Sequence, residues 1–345
     1  MTKEEYNSNG DAETLTKIHA YNGIRSFLSP ETNKKLINEL RIQNGIERRI
    51  SGLNCEYEFA LIAYFSEKFE YILGFDEFFS KLMNVKTPDF LLKSKNGKKY
   101  IIEVKSSSKT NKFSDITESS LKKRLHIAKD LNAEWLLALK MEDRWGFFDY
   151  KFFKARNRKI IYPFDLNNSI FNVFFGFDYY AITNQITAES IYSNKSDNVN
   201  RYIMHEEYGF LTQYTLKTQT TCLIDSSSKN ESVFAEVLHD LFTNKKIKKL
   251  NENETRLTET LDESILISTD QCMIATILHI INAFGNLSDP KTFFDDFINH
   301  KHEESQINAY RHFWSKIIQK CTNYEIFIPS KVIFKKDGSF VAELK

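Results

Sequence analysis

The sequence predicts an α/β protein in which a mixed β-sheet is flanked by helices. Three observations support this prediction: a long apolar helix, a hairpin signal after it, and a second helix that leads into two buried strands. In chain order, these segments cover residues 53–71, 90–104, 115–131, 134–141 and 144–153. A hairpin joins antiparallel strands, whereas a strand, a helix and a strand in succession join parallel ones. The sheet is therefore expected to contain both kinds of neighbouring strands.

The first long helix is expected to lie against the sheet. Residues 59–65 are all apolar, so this helix is apolar around most of its circumference. Before it, residues 1–50 are expected to form a helical extension, in which Pro30 starts a helix that runs to Arg41. The extension would serve packing or contact with a partner.

The hairpin turns at residues 95–97, and the length of its loop decides where Asp89 points. A two-residue loop would place Asp89 opposite Val104, away from Glu103. A three-residue loop that ends in a left-handed residue at Gly97 would place Asp89 opposite Glu103. We predict the three-residue loop because glycine stands where the left-handed residue is needed.

Glu103 and Lys105 are two residues apart, so on a strand their side chains leave the same face. With Asp89 opposite Glu103, two carboxylates and one ammonium group would share that face. Neighbouring carboxylates repel each other unless a positive charge compensates them. Mg²⁺ is suited to this position because it takes one or two carboxylates together with water and substrate phosphate. The alternative is an amphipathic strand that carries an exposed ladder of charges.

Pro88 and Asp89, followed after a short hairpin by Glu103 and Lys105, resemble the Pro-Asp…(Asp/Glu)-x-Lys signature of the PD-(D/E)XK nucleases. These nucleases have a restriction-endonuclease-like fold, which the resemblance implies for this chain. The helix that includes residues 51–65 and the hairpin together are similar to the TnsA-type endonuclease subunit of heteromeric transposases. The similarity fades beyond about residue 150.

The resemblance implies a metal-dependent DNA endonuclease. Glu56, Asp89 and Glu103 would hold Mg²⁺, for which Mn²⁺ can substitute, and Lys105 would stabilise the attacking water or the scissile phosphate. Glu56 and Glu58 point about 200° apart on a helix, so both cannot face the site. The family pattern favours Glu56, and Glu58 remains an alternative. Either carboxylate would also be explained by a favourable position near a helix N-terminus.

The net charge of +1 does not indicate a nucleic-acid partner, but the distribution of charge does. Residues 86–130 contain twelve basic and five acidic residues, and such a basic patch suits a polyanion. Lys122, Lys123 and Arg124 fall on the second predicted helix and are candidate phosphate contacts. The alternative is a solvated, lysine-rich face.

Composition and termini indicate the compartment. The four cysteines are far apart in sequence, with neither disulfide nor metal-site spacing, which fits a reducing compartment. The polar N-terminus does not resemble a signal peptide, and no segment approaches the ~20 apolar residues of a membrane span. We expect a cytoplasmic protein that binds DNA and no membrane.

Three regions are expected: the extension over residues 1–50, a nuclease core over 51–165 and an accessory region over 166–345. The accessory region is predicted to be mainly helical, with a hairpin near the C-terminus. From about residue 232, the predicted order of helices followed by a β-hairpin fits a winged helix that contacts DNA or a partner. A small helical packing domain fits the same order.

The expected function is TnsA-like cleavage of transposon ends, together with a strand-transfer transposase subunit. One alternative is a stand-alone nuclease in restriction, anti-phage defence or junction resolution. Another is a non-catalytic DNA-binding or assembly module. RNA is not excluded as a substrate, because a metal-activated hydroxide attacks either backbone.

Overall fold

The computed structural model divides the chain into two compact units. The first comprises Met1–Phe171 and Asp289–Asn299, and the second comprises Asn172–Ser288 and His300–Lys345. Within the described residues, no helix combines the length and the apolar content that crossing a bilayer requires. The structure describes residues 3–43, 46–75, 87–107, 112–114, 116–141, 144–175, 179–182, 184–195, 204–225, 242, 244–262, 266–268, 291, 294–295, 299, 319, 322–323, 327–337 and 339–344.

A five-stranded mixed sheet forms the centre of the first unit. In chain order the elements are α1 (Lys3–Ile24), a 3-10 helix (Arg25–Phe27), α2 (Pro30–Leu40), α3 (Ile46–Phe65), β1 (Phe69–Gly74), β2 (Phe90–Ser94), β3 (Lys99–Ser107), β4 (Lys112–Phe113), α4 (Glu118–Asp130), β5 (Glu134–Met141), β6 (Arg144–Asp149), α5 (Tyr150–Ala155), β7 (Ile160–Ile161) and a second 3-10 helix (Phe164–Asn168). The strand order of the sheet is β1-β2-β3-β5-β6. Strands β3 and β5 are parallel and the other neighbours are antiparallel, which confirms the predicted mixed sheet.

Helix α3 covers one face of this sheet. Its Phe59 side chain is fully buried and contacts aromatic rings from two strands. The ring centroids lie 5.8 Å from Phe90, 5.7 Å from Trp145 and 6.0 Å from Phe147. The long apolar run of the sequence is therefore explained by a helix that lies against strands, as predicted.

Helix α4 covers the opposite face. Its Leu121 and Ala128 share a buried cluster with Leu137 and Leu139 of β5. These two leucines flank Ala138, which pairs with Phe147 of β6. Phe147 contacts Phe59 of α3, so Ala138 points to the α3 face and the two leucines point to the opposite face. Side chains of each strand thus alternate between the α3 face and the α4 face.

The hairpin between β2 and β3 has the predicted three-residue loop. Phe90 pairs with Ile102, which places Asp89 directly opposite Glu103. Gly97 has a φ of 86°, the left-handed conformation that this loop requires. The predicted register is therefore confirmed.

Two elements end earlier than the sequence predicted. The first long helix, expected over residues 53–71, stops before Glu67, which has a left-handed φ of 55°. The residues after it form β1, an edge strand that the sequence analysis missed. The strand expected over 144–153 is cut short because the Asp149 carboxylate accepts a hydrogen bond from the Phe152 N–H at 2.7 Å and caps α5.

The predicted helical character of residues 1–50 is confirmed by α1 and α2. Helix α2 begins at Pro30 and ends before Arg41, which has a φ of 56°. Both helices belong to the first unit. Ile18 and Tyr21 of α1 share a buried cluster with Ile42 and Ile46, and Leu36, Ile37 and Leu40 of α2 pack against it.

The described part of the second unit consists mainly of two antiparallel sheets, and it starts with a short helix whose first residue, Phe171, belongs to the first unit. Its elements are α6 (Phe171–Phe175), β8 (Tyr179–Ile182), β9 (Ile186–Ser193), β10 (Met204–His205), β11 (Gly209–Lys217), β12 (Cys222–Asp225), β13 (Asn244–Lys249), β14 (Glu254–Leu261), β15 (Leu266–Ser268), β16 (Phe327–Phe334) and β17 (Phe340–Leu344). One sheet has the order β10-β11-β9-β14-β13, with β12 beside β11, and the other has the order β15-β8-β16-β17.

This part of the chain differs from the mainly helical region that the sequence predicted. Most of its described residues form strands instead, and β9 shows the alternating burial of a sheet with one packed face. The predicted C-terminal hairpin is present as β16 and β17, but it joins β8 and β15 in a sheet rather than standing alone as a wing. The helices predicted near 271–284, 290–300 and 303–320 lie almost wholly outside the described residues.

Candidate active site

The candidate site lies where β2 begins beside β3. Asp89 directly precedes β2, and its N–H donates a hydrogen bond to the carbonyl oxygen of Ile102 at 3.0 Å. Its Oδ2 accepts a hydrogen bond from the Val104 N–H at 2.6 Å. These two bonds hold the Asp89 carboxylate against β3, on the side of Glu103.

Lys105 joins the two carboxylates. Its Nζ lies 2.6 Å from Oε1 of Glu103 and 3.5 Å from Oδ2 of Asp89, and it donates a hydrogen bond to the Val104 carbonyl at 2.7 Å. The Glu103 side chain is 0% exposed, that of Asp89 6% and that of Lys105 33%. The predicted gathering of two carboxylates and an ammonium group on one face is confirmed, and the ammonium group marks the side that opens to solvent.

Arg124 completes the cluster from helix α4. Its Nη2 donates to Oε1 of Glu103 at 2.7 Å, its Nε donates to Oε2, and its Nη1 donates to the Ser120 hydroxyl. Arg124 was predicted as a phosphate contact, whereas the structure buries it against a carboxylate. A local signal existed for the burial of Arg124, though not for its partner, because Leu121, Arg124 and Ala128 have the i, i+3, i+7 spacing of one helix face.

Burial in the cluster affects the protonation of Asp89 and Lys105. Burial raises the pKa of Asp89 to about 6, and the charge of Glu103 adds to this effect, while Lys105, the Val104 N–H and Arg124 oppose it. Burial alone would lower the pKa of Lys105, but the carboxylates of Asp89 and Glu103 outweigh it and raise that pKa above its ordinary value. Lys105 therefore stays an ammonium ion at neutral pH and is suited to holding an anion.

Glu58 lies on the other face of the sheet. Its carboxylate accepts hydrogen bonds from Lys140 Nζ at 2.7 and 2.9 Å and from Trp145 Nε1 at 3.0 Å. Lys140 pairs with Ser106, the residue after Lys105 on β3. Successive side chains of a strand leave opposite faces, so Lys140 points to the α3 face while Lys105 points to the α4 face. Glu58, the alternative third ligand, is thus bound in a separate cluster and does not face Glu103.

The predicted site of three carboxylates is not formed. Glu56 is half-buried on α3, and within the part of the chain described here no three His, Cys, Asp or Glu side chains gather closely enough to hold a metal ion. The physical reason is that α3 covers the face opposite Glu103. The oxygen donors brought together are those of Asp89 and Glu103, and two carboxylates are within the number that Mg²⁺ takes. These residues fit a cation that keeps water and substrate oxygens as its other ligands.

No protein-family model matches the chain, and a comparison with characterised proteins gives no match. Six chains among the solved structures match. One is Hjc, a Holliday junction resolvase from the archaeal hyperthermophile Archaeoglobus fulgidus. It is 20% identical, with coverage of 31% of this chain and 85% of the resolvase chain and a TM-score of 0.26. The function is therefore inferred from the geometry of the site itself.

The other two predicted phosphate contacts of α4 are Lys122 and Lys123. Lys122 is exposed, and its Nζ lies 3.2 Å from Glu118 in an i, i+4 pair. Lys123 is half-buried on the same helix. Exposed ion pairs of this kind contribute little to stability, so Lys122 can exchange its partner for a phosphate at little cost.

Part of the basic stretch lies away from the candidate site. Lys98, Lys99 and Lys129 line an open cavity of about 510 Å³ at the turn of the hairpin. Lys99 and Lys105 stand near the two ends of β3, about 20 Å apart at the usual rise of a strand. The basic patch was predicted beside the site, and these three lysines lie away from it.

Proposed function

We propose that this protein is a metal-dependent endonuclease that hydrolyses phosphodiester bonds in DNA, with Mg²⁺ or Mn²⁺ as its cation. The observation that carries the proposal is that Asp89, directly before β2, and Glu103, on the adjacent strand β3, lie 3.5 and 2.6 Å from the Lys105 ammonium group. Paired carboxylates suit a hard cation, and a neighbouring ammonium ion suits a phosphate. Metal-assisted hydrolysis of a phosphodiester can use both in one place.

The residues have distinct roles in this proposal. Asp89 and Glu103 hold the cation through carboxylate oxygens, and the Val104 N–H keeps the Asp89 carboxylate in position. When bound, the cation lowers the pKa of a water molecule and offsets negative charge on the phosphate. Lys105 stays protonated and is one-third exposed, so it stabilises the anionic phosphate or the attacking nucleophile.

A finer proposal is a TnsA-like cleavage subunit that cuts transposon ends together with a strand-transfer transposase subunit. The similarity of residues 51–65 and 87–91 to that family supports it. Such a subunit is expected to cut only in the assembled complex. A stand-alone restriction, defence or junction-resolving nuclease is expected to cut DNA without a partner, so the activity of the purified chain separates the two.

A non-catalytic DNA-binding module is the remaining alternative. It would bind DNA with a steep salt dependence and never cut it. Binding of that kind needs basic residues, whereas Asp89 and Glu103 repel phosphate unless a cation lies between them. The paired carboxylates therefore support catalysis over binding alone.

Nicking of supercoiled plasmid DNA tests the proposal. Asp89→Asn, Glu103→Gln and Lys105→Met are each expected to lower the Mg²⁺- or Mn²⁺-dependent nicking rate by about 100-fold or more. Glu70→Gln and Lys93→Met are the matched controls, because they break a 2.7 Å carboxylate–ammonium pair on β1 and β2 of the same sheet. Both controls should nick at the wild-type rate.

The assay is run on the chain alone and on extracts that supply partners, with circular dichroism to check the folding of each variant. Wild-type nicking by any of the three site variants would contradict the proposed mechanism. Nicking that persists in excess EDTA would exclude the cation.

A further inference from the structure

The two carboxylates of the candidate site are balanced by two positive side chains. Lys105 comes from the same strand as Glu103, and Arg124 comes from helix α4. Arg124 is 8% exposed and Glu103 is 0% exposed, so their ion pair is shielded from water. Breaking a pair of this kind leaves an uncompensated buried charge unless another charge takes the vacated place.

The guanidinium group of Arg124 occupies the oxygens that a cation needs. Oε1 of Glu103 accepts from Arg124 Nη2 at 2.7 Å and lies 2.6 Å from Lys105 Nζ, while Oε2 accepts from Arg124 Nε. A carboxylate oxygen has two lone pairs, so Oε1 is fully used. A cation at Glu103 must therefore displace Arg124 or lie beside its positive charge, where repulsion weakens binding.

Arg124 also has a second anchor. Its Nη1 donates to the hydroxyl of Ser120, one turn earlier on α4. A guanidinium group that leaves Glu103 while keeping Ser120 stays near the site. A guanidinium group also forms paired hydrogen bonds with phosphate, which gives Arg124 an alternative anionic partner when a phosphodiester is present.

We infer that Arg124 competes with the catalytic cation for Glu103, and that a phosphodiester relieves this competition by drawing the guanidinium group to itself. Cation binding and nucleic-acid binding are then coupled, and each strengthens the other. This inference rests on the proposed function. Arg124 affects cation binding through Glu103 and contacts the phosphodiester directly once it is bound.

Mn²⁺ binding, followed by electron paramagnetic resonance of the unbound ion, measures the coupling without a turnover assay. The titration is done with and without a short DNA duplex whose linkages are phosphorothioates, which slow hydrolysis. In the wild type the duplex should tighten Mn²⁺ binding by about tenfold, within the usual range of coupling between two sites. In Arg124→Met, Mn²⁺ alone should bind about tenfold tighter than in the wild type. The factor by which the duplex tightens Mn²⁺ binding should be several-fold smaller in this variant than in the wild type.

Two further variants serve as controls. Arg156→Met breaks another arginine–carboxylate pair of the first unit, in which Asp165 is 1% exposed, and it should keep the wild-type Mn²⁺ affinity and coupling. Arg124→Lys keeps the positive charge but not the two-point contact, so its Mn²⁺ affinity should fall between those of the wild type and Arg124→Met. If Arg124→Met does not fold, Arg124→Lys carries the test.

The outcomes separate this inference from the proposed function. If Mn²⁺ binds and Asp89→Asn abolishes the binding, but removal of the Arg124 charge leaves affinity unchanged or weaker, only the competition is overturned. Equal wild-type affinity with and without the duplex would also overturn it. If no variant binds Mn²⁺ under either condition, the proposed function fails as well.

Discussion

Two clusters of carboxylates and cations lie on opposite faces of the five-stranded sheet. On the α3 face, both oxygens of Glu58 are bonded by Lys140, and one of them also accepts from Trp145. On the α4 face, the carboxylates of Asp89 and Glu103 share the amine of Lys105. The first cluster thus pairs one carboxylate, that of Glu58, with the strand lysine Lys140. The second pairs two carboxylates, those of Asp89 and Glu103, with the strand lysine Lys105.

The difference shows how similar side chains serve different purposes. The Glu58 cluster is complete on its own, so a further cation there would have to displace Lys140. The Asp89 and Glu103 carboxylates receive a second positive charge from Arg124 of helix α4, and in the proposals made above a divalent cation competes for that place. A site that depends on an exchangeable charge is suited to binding, whereas a self-sufficient pair is suited to holding the fold together.

The largest expected effect that distinguishes the faces is on stability. Glu58→Gln leaves the Lys140 ammonium without a counter-charge and should lower the free energy of unfolding by about 2–3 kcal/mol, near the lower end for a buried pair because Lys140 is partly exposed. Adding Lys140→Met should recover at least half of the loss. Urea denaturation measures both variants. Below its unfolding midpoint, Glu58→Gln should still nick DNA, and loss of nicking in the folded variant would make Glu58 part of the site.

A smaller effect is expected at the turn that sets the register of the hairpin. Gly97→Ala forces a side chain into a φ of 86° and should destabilise the protein by about 1 kcal/mol. Gly97→Asn should cost less, because asparagine tolerates the left-handed conformation. Thermal unfolding compares the two variants. Equal stability of Gly97→Ala and the wild type would contradict the three-residue loop.

The smallest expected effect is at Glu56. Because α3 covers the face opposite Glu103, Glu56→Gln should change the Mn²⁺ affinity and the nicking rate by less than about threefold, whereas Glu103→Gln should abolish both. The family resemblance predicts a large loss for Glu56→Gln instead. Parallel titration of the two variants decides between these expectations.

The hairpin and its carboxylates were predictable because their chemistry is local. Loop length, the glycine at the left-handed position and the two-residue period of a strand together fix Asp89 opposite Glu103. Helix α4 was predictable for the same reason, since Leu121 and Ala128 are spaced for one packed face, but its start at Glu118, set by the Thr117 cap, was expected at residue 115.

The remaining features depend on contacts between distant segments. Helix α3 is apolar around most of its surface, so its own pattern does not reveal that Glu58, rather than Glu56, faces the strands. Nothing local to Arg124 identifies Glu103 as its partner. The sheets of the second unit also depend on contacts between distant segments. Strand β9 pairs with both β11 and β14, and pairings over such distances in sequence have no short-range signal.

Anomalous scattering from crystals soaked in Mn²⁺ together with a short DNA duplex tests the central claim most directly. The account predicts a peak about 2.1 Å from carboxylate oxygens of both Asp89 and Glu103, with its remaining ligands supplied by water and phosphate. A peak at Glu58, or no peak between Asp89 and Glu103 at saturating Mn²⁺, would contradict it.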